Sequence, residues 1–114
     1  MKHVMRLNGQ PFDMIENGTK TIELRLYDEK RRLIAVGDEI EFVHSDNPDR
    51  ALLCRVINLY RFSSFEELYR NLPLLKCGYT EADVAEASPA DMNEYYPKEK
   101  QALFGVVGIE IELE

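Results

Sequence analysis

Cysteine and histidine are scarce in this chain of 114 residues, which contains two of each. Neither Cys54 nor Cys77 belongs to a C-x-x-C motif, and His3 and His44 lack partners at metal-ligand spacing. The sequence therefore predicts no metal site, and it contains no pattern that indicates a cofactor. Two cysteines without a disulfide framework favour reduced thiols and a cytoplasmic protein.

Long apolar runs are also missing. No stretch approaches the roughly 20 apolar residues that a membrane-spanning helix needs. The opening residues, M-K-H-V-M-R-L, lack the apolar region and cleavage pattern of a signal peptide. We therefore expect no membrane association. The length predicts one domain over residues 1–114, and a hydrophobic content of 45 % suffices for a single core.

Basic residues are outnumbered, with 14 Lys and Arg against 21 Asp and Glu and a net charge of −7. Sequence-independent binding of nucleic acid depends on a basic surface, so this composition argues against it. Positive charge is nevertheless concentrated at Lys20, Arg25 and residues 30–32, while acidic residues gather at 81–99 and at the C-terminus. A local positive site of this kind can hold one phosphate or one nucleotide.

Phosphate-binding loops, dinucleotide-binding glycine motifs and nucleophile elbows are absent as well. What is present is the stretch G-T-K-T-I-E-L-R at residues 18–25. As a strand, it places its apolar side chains on one face and Thr21, Glu23 and Arg25 on the other. The second face is a row of hydroxyl, carboxylate and guanidinium groups, with Lys20 at its mouth. A solvated edge strand with a weak ion pair is the alternative interpretation.

The rest of the chain predicts an α+β domain. Strands are predicted near residues 1–7, 19–27, 39–44, 51–60 and 104–113, and the fourth should be central because it is apolar on both faces. Helices are predicted to begin near Pro11, Ser64, Thr80 and Ser88, with a charged turn at 28–33. A small barrel is favoured over a flat sheet because closure removes exposed edges.

The stretch at 18–25 resembles the G-x-K-x-x-E-x-R signature of the ASCH domain family. Its four fixed positions are matched by Gly18, Lys20, Glu23 and Arg25. The segments V-G-D-E-I-E-F, Y-Y-P and G-V-V-G-I-E-I follow in the order typical of the family, so the resemblance spans nearly the whole chain, as in a stand-alone ASCH protein of bacterial type. It implies a PUA-like pseudo-barrel of five to six strands, with short helices near the N-terminus and before the last strand. It also implies RNA, a nucleotide or a modified nucleoside as ligand.

The candidate ligand-binding residues are Lys20, Thr21, Glu23, Arg25, Arg31 and Arg32. Lys20 and Arg25 are suited to binding a phosphate or polarising a carbonyl, and Glu23 to accepting a hydrogen bond from a base edge. Thr21 would supply a hydroxyl. Arg31 and Arg32 either point at the ligand or belong to a solvated basic loop.

Two classes of function follow from these residues. The first is a binding module that holds a nucleotide or modified base in a cleft. The second is a small enzyme, amidohydrolase- or ribonuclease-like, with Lys20 and Glu23 in acid–base roles. In the acetylcytidine amidohydrolases of the family a threonine follows the lysine by three residues, whereas Glu23 stands here. The threonine is the proposed nucleophile of those enzymes, and because this chain lacks it at that position we favour the binding module. The third interpretation is a structural domain in which the polar row is only an internal salt bridge.

Overall fold

A computed structural model describes residues 1–114, and its five strands form one sheet in the order β1-β3-β4-β5-β2. The strands are β1 (Lys2–Leu7), β2 (Ile22–Leu26), β3 (Glu39–His44), β4 (Ala51–Phe62) and β5 (Val106–Leu113). β1 runs parallel to β3 and every other pair is antiparallel. All five predicted strands are confirmed, and β4 occupies the central position as expected.

The sheet curls into a half-barrel, which confirms the predicted α+β, PUA-like fold. β1 and β2 are the two edge strands, with three strands between them. The guanidinium of Arg25 on β2 nevertheless donates to the backbone carbonyl of Arg6 on β1 at 2.8 Å. The two edges therefore lie side by side, and a side chain joins them where backbone pairing does not.

Four α-helices and three short 3-10 helices connect the strands. The α-helices are α1 (Gly9–Glu16), α2 (Glu29–Arg32), α3 (Phe65–Asn71) and α4 (Lys98–Phe104), and the 3-10 helices are Leu74–Lys76, Val84–Glu86 and Pro89–Glu94. Helix α1 has Asn17 as its C-cap, and the following Gly18 has a φ of 85°, a left-handed conformation that glycine adopts without strain. None of the helices combines the length and apolarity that crossing a membrane requires.

Two apolar clusters stabilise the half-barrel. The larger fills the curl of the sheet and includes the fully buried Phe12, Ile40 and Phe42. The smaller lies between β2, α3 and the Pro89–Glu94 helix, around Phe65 and Leu68. The central strand is buried on one face only, because Leu53 and Ile57 are 37 % and 39 % exposed. The expectation of burial on both faces of β4 was therefore wrong, since apolar content alone does not fix the second layer.

The segment between α3 and β5 departs most from the sequence prediction. The helix expected at Thr80 is reduced to a turn that leads into the 3-10 helix Val84–Glu86, although the carboxylate of Asp83 accepts from the Thr80 backbone N–H at 2.6 Å, as it would at the start of a helix. The helix expected at Ser88 forms as a 3-10 helix with a complete capping box. Helix α4, which follows Pro97, was not predicted.

Candidate functional site

Glu23 lies at the centre of a buried ionic cluster, on the face of β2 that the alternation of the strand assigned to it. Its side chain is 5 % exposed, and those of Lys20 and Arg25 are 10 % and 13 % exposed. The Lys20 ammonium lies 2.8 Å from one carboxylate oxygen, and the Arg25 Nε donates to the other at 2.7 Å. The second donor of the guanidinium is fixed by the carbonyl of Arg6. Three charged groups are therefore held in one geometry.

The protonation states of the cluster follow from its geometry. Burial on its own would raise the pKa of Glu23, but the charges and hydrogen bonds of Lys20 and Arg25 lower that pKa below its ordinary value. Burial would likewise lower the pKa of Arg25, and the opposing charge of Glu23 raises it instead. Glu23 is therefore ionised at neutral pH and accepts hydrogen bonds from two cations. A carboxylate in this state is a weak general base.

The cluster lies at the bottom of an open cavity of about 600 Å³. The opposite wall comes from Tyr69 of α3 and from the irregular segment at 77–96, which carries Tyr79, Tyr95 and Tyr96, while α1 and the end of β1 contribute the near side. Gly78 brings its backbone close to Lys20: a Cβ atom there would lie 3.4 Å from the lysine Cδ, and its φ of 112° favours glycine. The cavity therefore combines a charged floor with an aromatic wall.

Hydrogen bonds between side chains fix the aromatic wall. The Tyr79 hydroxyl donates to Asp91 at 2.7 Å, so the Tyr69 hydroxyl is the donor in its 2.7 Å bond to Tyr79. Asp91 also accepts from the Ser88 backbone N–H. Burial, followed by these bonds, raises the pKa of Tyr79. Both hydroxyls therefore stay protonated, and they tie α3 to the 3-10 helix that follows Ser88.

Tyr96 and Tyr95 differ in burial. Tyr96 packs on Phe65 with a ring-centroid distance of 6.1 Å, and burial raises its pKa. Tyr95 is 61 % exposed, lies at the mouth of the cavity and has no hydrogen-bond partner for its hydroxyl. A large aromatic ring in this position is free to stack on a flat ligand.

The structure brings three of the six candidate residues together and places the others elsewhere. Lys20, Glu23 and Arg25 line the cavity; Thr21 precedes β2 and lines a separate, smaller depression beside Ile111. Its backbone pairs with Lys76 and Ile111.

Neither arginine of the charged turn lies in the cavity wall. Arg31 forms an ion pair with Asp28 at 3.2 Å, and its Nε is buried without a partner. The guanidinium of Arg32 stacks on Tyr27 at 4.6 Å from the ring centre and donates to the backbone carbonyls of Tyr27 and Phe104.

Several cavity residues had no signal in the sequence. Gly78, Tyr79, Asp83 and Asp91 come from a segment whose elements are too short for periodicity to place, and their positions depend on side-chain hydrogen bonds. Only a tyrosine-rich composition between Tyr69 and Tyr96 hinted at an aromatic surface there.

The cysteines and histidines have structural surroundings. Burial raises the pKa of both free thiols to about 11, so Cys77 in the cavity wall stays a neutral thiol, as does Cys54 in the core. His3 pairs with Asp38 at 2.9 Å, and His44 accepts from two backbone N–H groups of its own loop. No three His, Cys, Asp or Glu side chains converge in a way that would hold a metal ion.

Comparison with known proteins places this geometry in a family. The ASCH domain model matches residues 5–114. The hypothetical protein PH0355 has a crystal structure with a TM-score of 0.81 and 32 % identity, with all of both chains covered. Protein PF0455 from Pyrococcus furiosus is 33 % identical, with a TM-score of 0.73 over 99 % of this chain and 97 % of its own.

More distant structures share the fold alone. A variant of ZmASCH from Zymomonas mobilis has a TM-score of 0.67 and 14 % identity, over 98 % of this chain and 70 % of its own. Comparison with curated proteins gave no significant match.

Proposed function

Because the chain belongs to the ASCH domain family, a family proposed to bind RNA, we propose that its cavity binds one nucleotide or modified nucleoside, free or within RNA. The observation that carries the proposal is the buried cluster of Lys20, Glu23 and Arg25 at the bottom of an open cavity of about 600 Å³. A cavity of this size fits a ligand the size of a nucleoside.

A buried ionic cluster is a costly way to stabilise a fold. Removing three charges from water carries a desolvation penalty that their mutual attraction offsets only in good geometry, and apolar replacements often stabilise as well or better. Perturbed ionisable groups in a cleft are accordingly candidates for function. Here the cluster faces an open cavity rather than a sealed core, which supports a role in recognition.

Each group of the floor would have a distinct task. Glu23 carries two oxygens that each have a further lone pair, so it would accept a hydrogen bond from an amino or imino group of a base. Arg25, whose plane is fixed by the Arg6 carbonyl, would donate to a ring acceptor, and the Lys20 ammonium would donate to a carbonyl. Tyr95 would stack on the ring at the mouth.

Thr21, Arg31 and Arg32 lie outside the cavity wall. They would contact only those parts of a longer ligand that extend beyond the cavity, such as nucleotides on either side of the bound one.

Binding is favoured over catalysis by the state of Glu23. An amidohydrolase- or ribonuclease-like reaction would need Lys20 or Glu23 to exchange a proton, and the two cations beside Glu23 lower its pKa. Thr21 lines a different depression and would not reach a carbonyl in the cavity.

The test is a binding titration with nucleosides, mononucleotides and short single-stranded RNA, followed by calorimetry. We expect Arg25→Ala to weaken binding by at least about tenfold, since a lost charge-assisted hydrogen bond contributes about 1.5–3 kcal/mol. Arg70→Ala is the matched control, because Arg70 is exposed on α3 and does not line the cavity.

Chemical-shift changes in the unaltered protein provide a second readout that does not depend on the stability of a variant. They should concentrate at the cavity, around β2 and residues 77–96. Changes confined to other surfaces, or equal losses in both arginine variants, would contradict the proposal.

A further inference from the structure

We infer that the cavity selects a nucleoside without phosphate over its phosphorylated form. The inference rests on the proposed function and narrows it, because that function leaves open whether the ligand carries phosphate. Three observations carry it: the net charge of the cavity lining, the pairing of its deep cations, and the position of its carboxylates.

The lining of the cavity is acidic. It contains four carboxylates, from Glu23, Asp83, Asp91 and Glu94, against three cations, so its net charge is −1. A site built for a phosphate normally presents an excess of donors and positive charge, as helix N-termini, backbone nests or arginine forks do. This cavity has no such excess, although the sequence concentrates basic residues nearby.

The two deep cations are already engaged. Lys20 pairs with one oxygen of Glu23 at 2.8 Å, and Arg25 pairs with the other while also donating to the Arg6 carbonyl. A phosphate that used the remaining protons of these cations would lie as a second anion beside the buried Glu23 carboxylate, and it would compete with that carboxylate for both cations. A neutral base edge instead uses the remaining lone pairs and protons without separating the pairs.

Asp83, Asp91 and Glu94 are exposed residues of the lining, whereas the floor is buried, so they bring negative charge toward the mouth of the cavity; the Asp91 carboxylate also accepts from Tyr79 in the wall. The exposed part of the lining carries only one cation, the side chain of Arg6, to offset these three carboxylates. With the base on the floor, the ribose and any 5′-phosphate would extend toward this acidic mouth. In water, one carboxylate at about 4 Å from a phosphate charge lowers affinity roughly fivefold.

Salt dependence gives this inference a distinctive signature. Counterion release makes the binding of phosphate to a basic site weaker as salt rises. Repulsion from an acidic mouth has the opposite dependence, because salt screens the repulsion. The affinity for a nucleoside monophosphate should therefore rise with salt, whereas the affinity for the nucleoside should change little.

The experiment compares the four ribonucleosides with their 5′-monophosphates by calorimetry, at ionic strengths of about 0.01 M and about 0.15 M, where the screening length falls from about 30 Å to about 8 Å. We expect the preferred nucleoside to bind at least about fivefold tighter than its monophosphate at low salt, and the difference to narrow at high salt. The double variant Asp83→Asn, Glu94→Gln should likewise reduce the difference in affinity between the nucleoside and its monophosphate at low salt.

The matched control is Glu66→Gln, Glu112→Gln, which removes the same charge at exposed positions outside the cavity. This control should leave the difference in affinity between the nucleoside and its monophosphate unchanged. If net charge alone were responsible, both double variants would reduce that difference equally, and the inference would be overturned.

The remaining outcomes separate the inference from the proposed function. Tighter binding of the monophosphate or of short RNA, with affinity that falls as salt rises, would overturn the inference and leave the proposed function standing. No binding of nucleoside, nucleotide or RNA would overturn both.

Discussion

Replacing Glu23 by glutamine removes one negative charge and keeps the shape of the side chain. In the intact protein Glu23 is contacted by Lys20 and Arg25, whose side chains are 10 % and 13 % exposed. The variant leaves two buried cations facing each other across a neutral amide. One lone amide oxygen can serve only one of them well, and the amide N–H₂ group points a donor at the other.

The expected cost is large. Breaking a buried ion pair by removing one partner destabilises proteins by about 3–5 kcal/mol, because the remaining charge stays buried and uncompensated. With an unfolding entropy of about 2.1 cal/mol/K per residue, 1 kcal/mol corresponds to about 4 °C in Tm for this chain. Glu23→Gln should therefore lower Tm by roughly 12 °C or more.

The assay is urea unfolding followed by circular dichroism. The midpoint should fall while the slope stays constant, as expected when stability changes and the surface exposed on unfolding does not. The control is Glu41→Gln, which removes the charge from the 2.7 Å pair between Lys2 and Glu41, whose side chains are 52 % and 31 % exposed, and it should cost less than about 1 kcal/mol.

A cost for Glu23→Gln as small as that of the control would refute the reasoning, since it would mean that water reaches the cluster and compensates the charges. A further variant separates stability from recognition. Replacing Lys20, Glu23 and Arg25 together by Met, Leu and Met should restore much of the stability, because a buried ionic cluster is often no better than apolar packing. The same variant should lose ligand binding altogether.

Three further predictions concern other features. Acid should destabilise the protein: the pKa of Glu23 is lowered and that of Asp38 falls to about 2, so both contribute stability above pH 4 that is lost as pH falls toward 2, and Tm measured against pH should decline there. A decline beginning above pH 6 would point to other groups. Gly108→Ala places a Cβ atom 2.6 Å from Leu72 Cδ1 and 3.2 Å from Ile22 Cγ2 and should cost about 1–3 kcal/mol in chemical denaturation; no measurable loss would show that the Leu72 side chain moves aside. Incubation with acetylcytidine should release little or no cytidine; clear turnover that disappears in Lys20→Ala would make the protein an enzyme.

Much of the fold could be predicted from local patterns. Alternating apolar residues fixed the strands, and Asn17 and Gly18 marked the end of α1, because each of these signals lies within a few neighbouring residues. The capping residue Ser64 was also read correctly, since its hydroxyl accepts from the Glu67 backbone N–H. Only one of the two bonds of a capping box forms there, because the Glu67 carboxylate accepts from the Ser63 hydroxyl and not from the Ser64 backbone N–H.

The cavity could be predicted only in part. The alternation of side chains along β2 predicted that Glu23 and Arg25 share one face. Nothing in that strand, however, shows whether other residues cover this polar face or leave it in contact with water. The cover comes from residues 77–96, more than 50 positions along the chain, and is held by the bonds of Tyr79 and Asp91. Contacts of that range have no local signature, which is also why the charged turn at Arg31 was expected nearer to the site.

The bond between Arg25 and the Arg6 carbonyl bears on how such a domain can diversify. The Arg25 side chain both joins the two edges of the sheet and lines the cavity, so a substitution that changes its chemistry also removes the link between the edges. The opposite wall, built from short turns between Cys77 and Tyr96, contributes no strand to the sheet. Substitutions that alter ligand preference among such domains are therefore expected mainly in that wall, whereas Lys20, Glu23 and Arg25 on the floor should vary less.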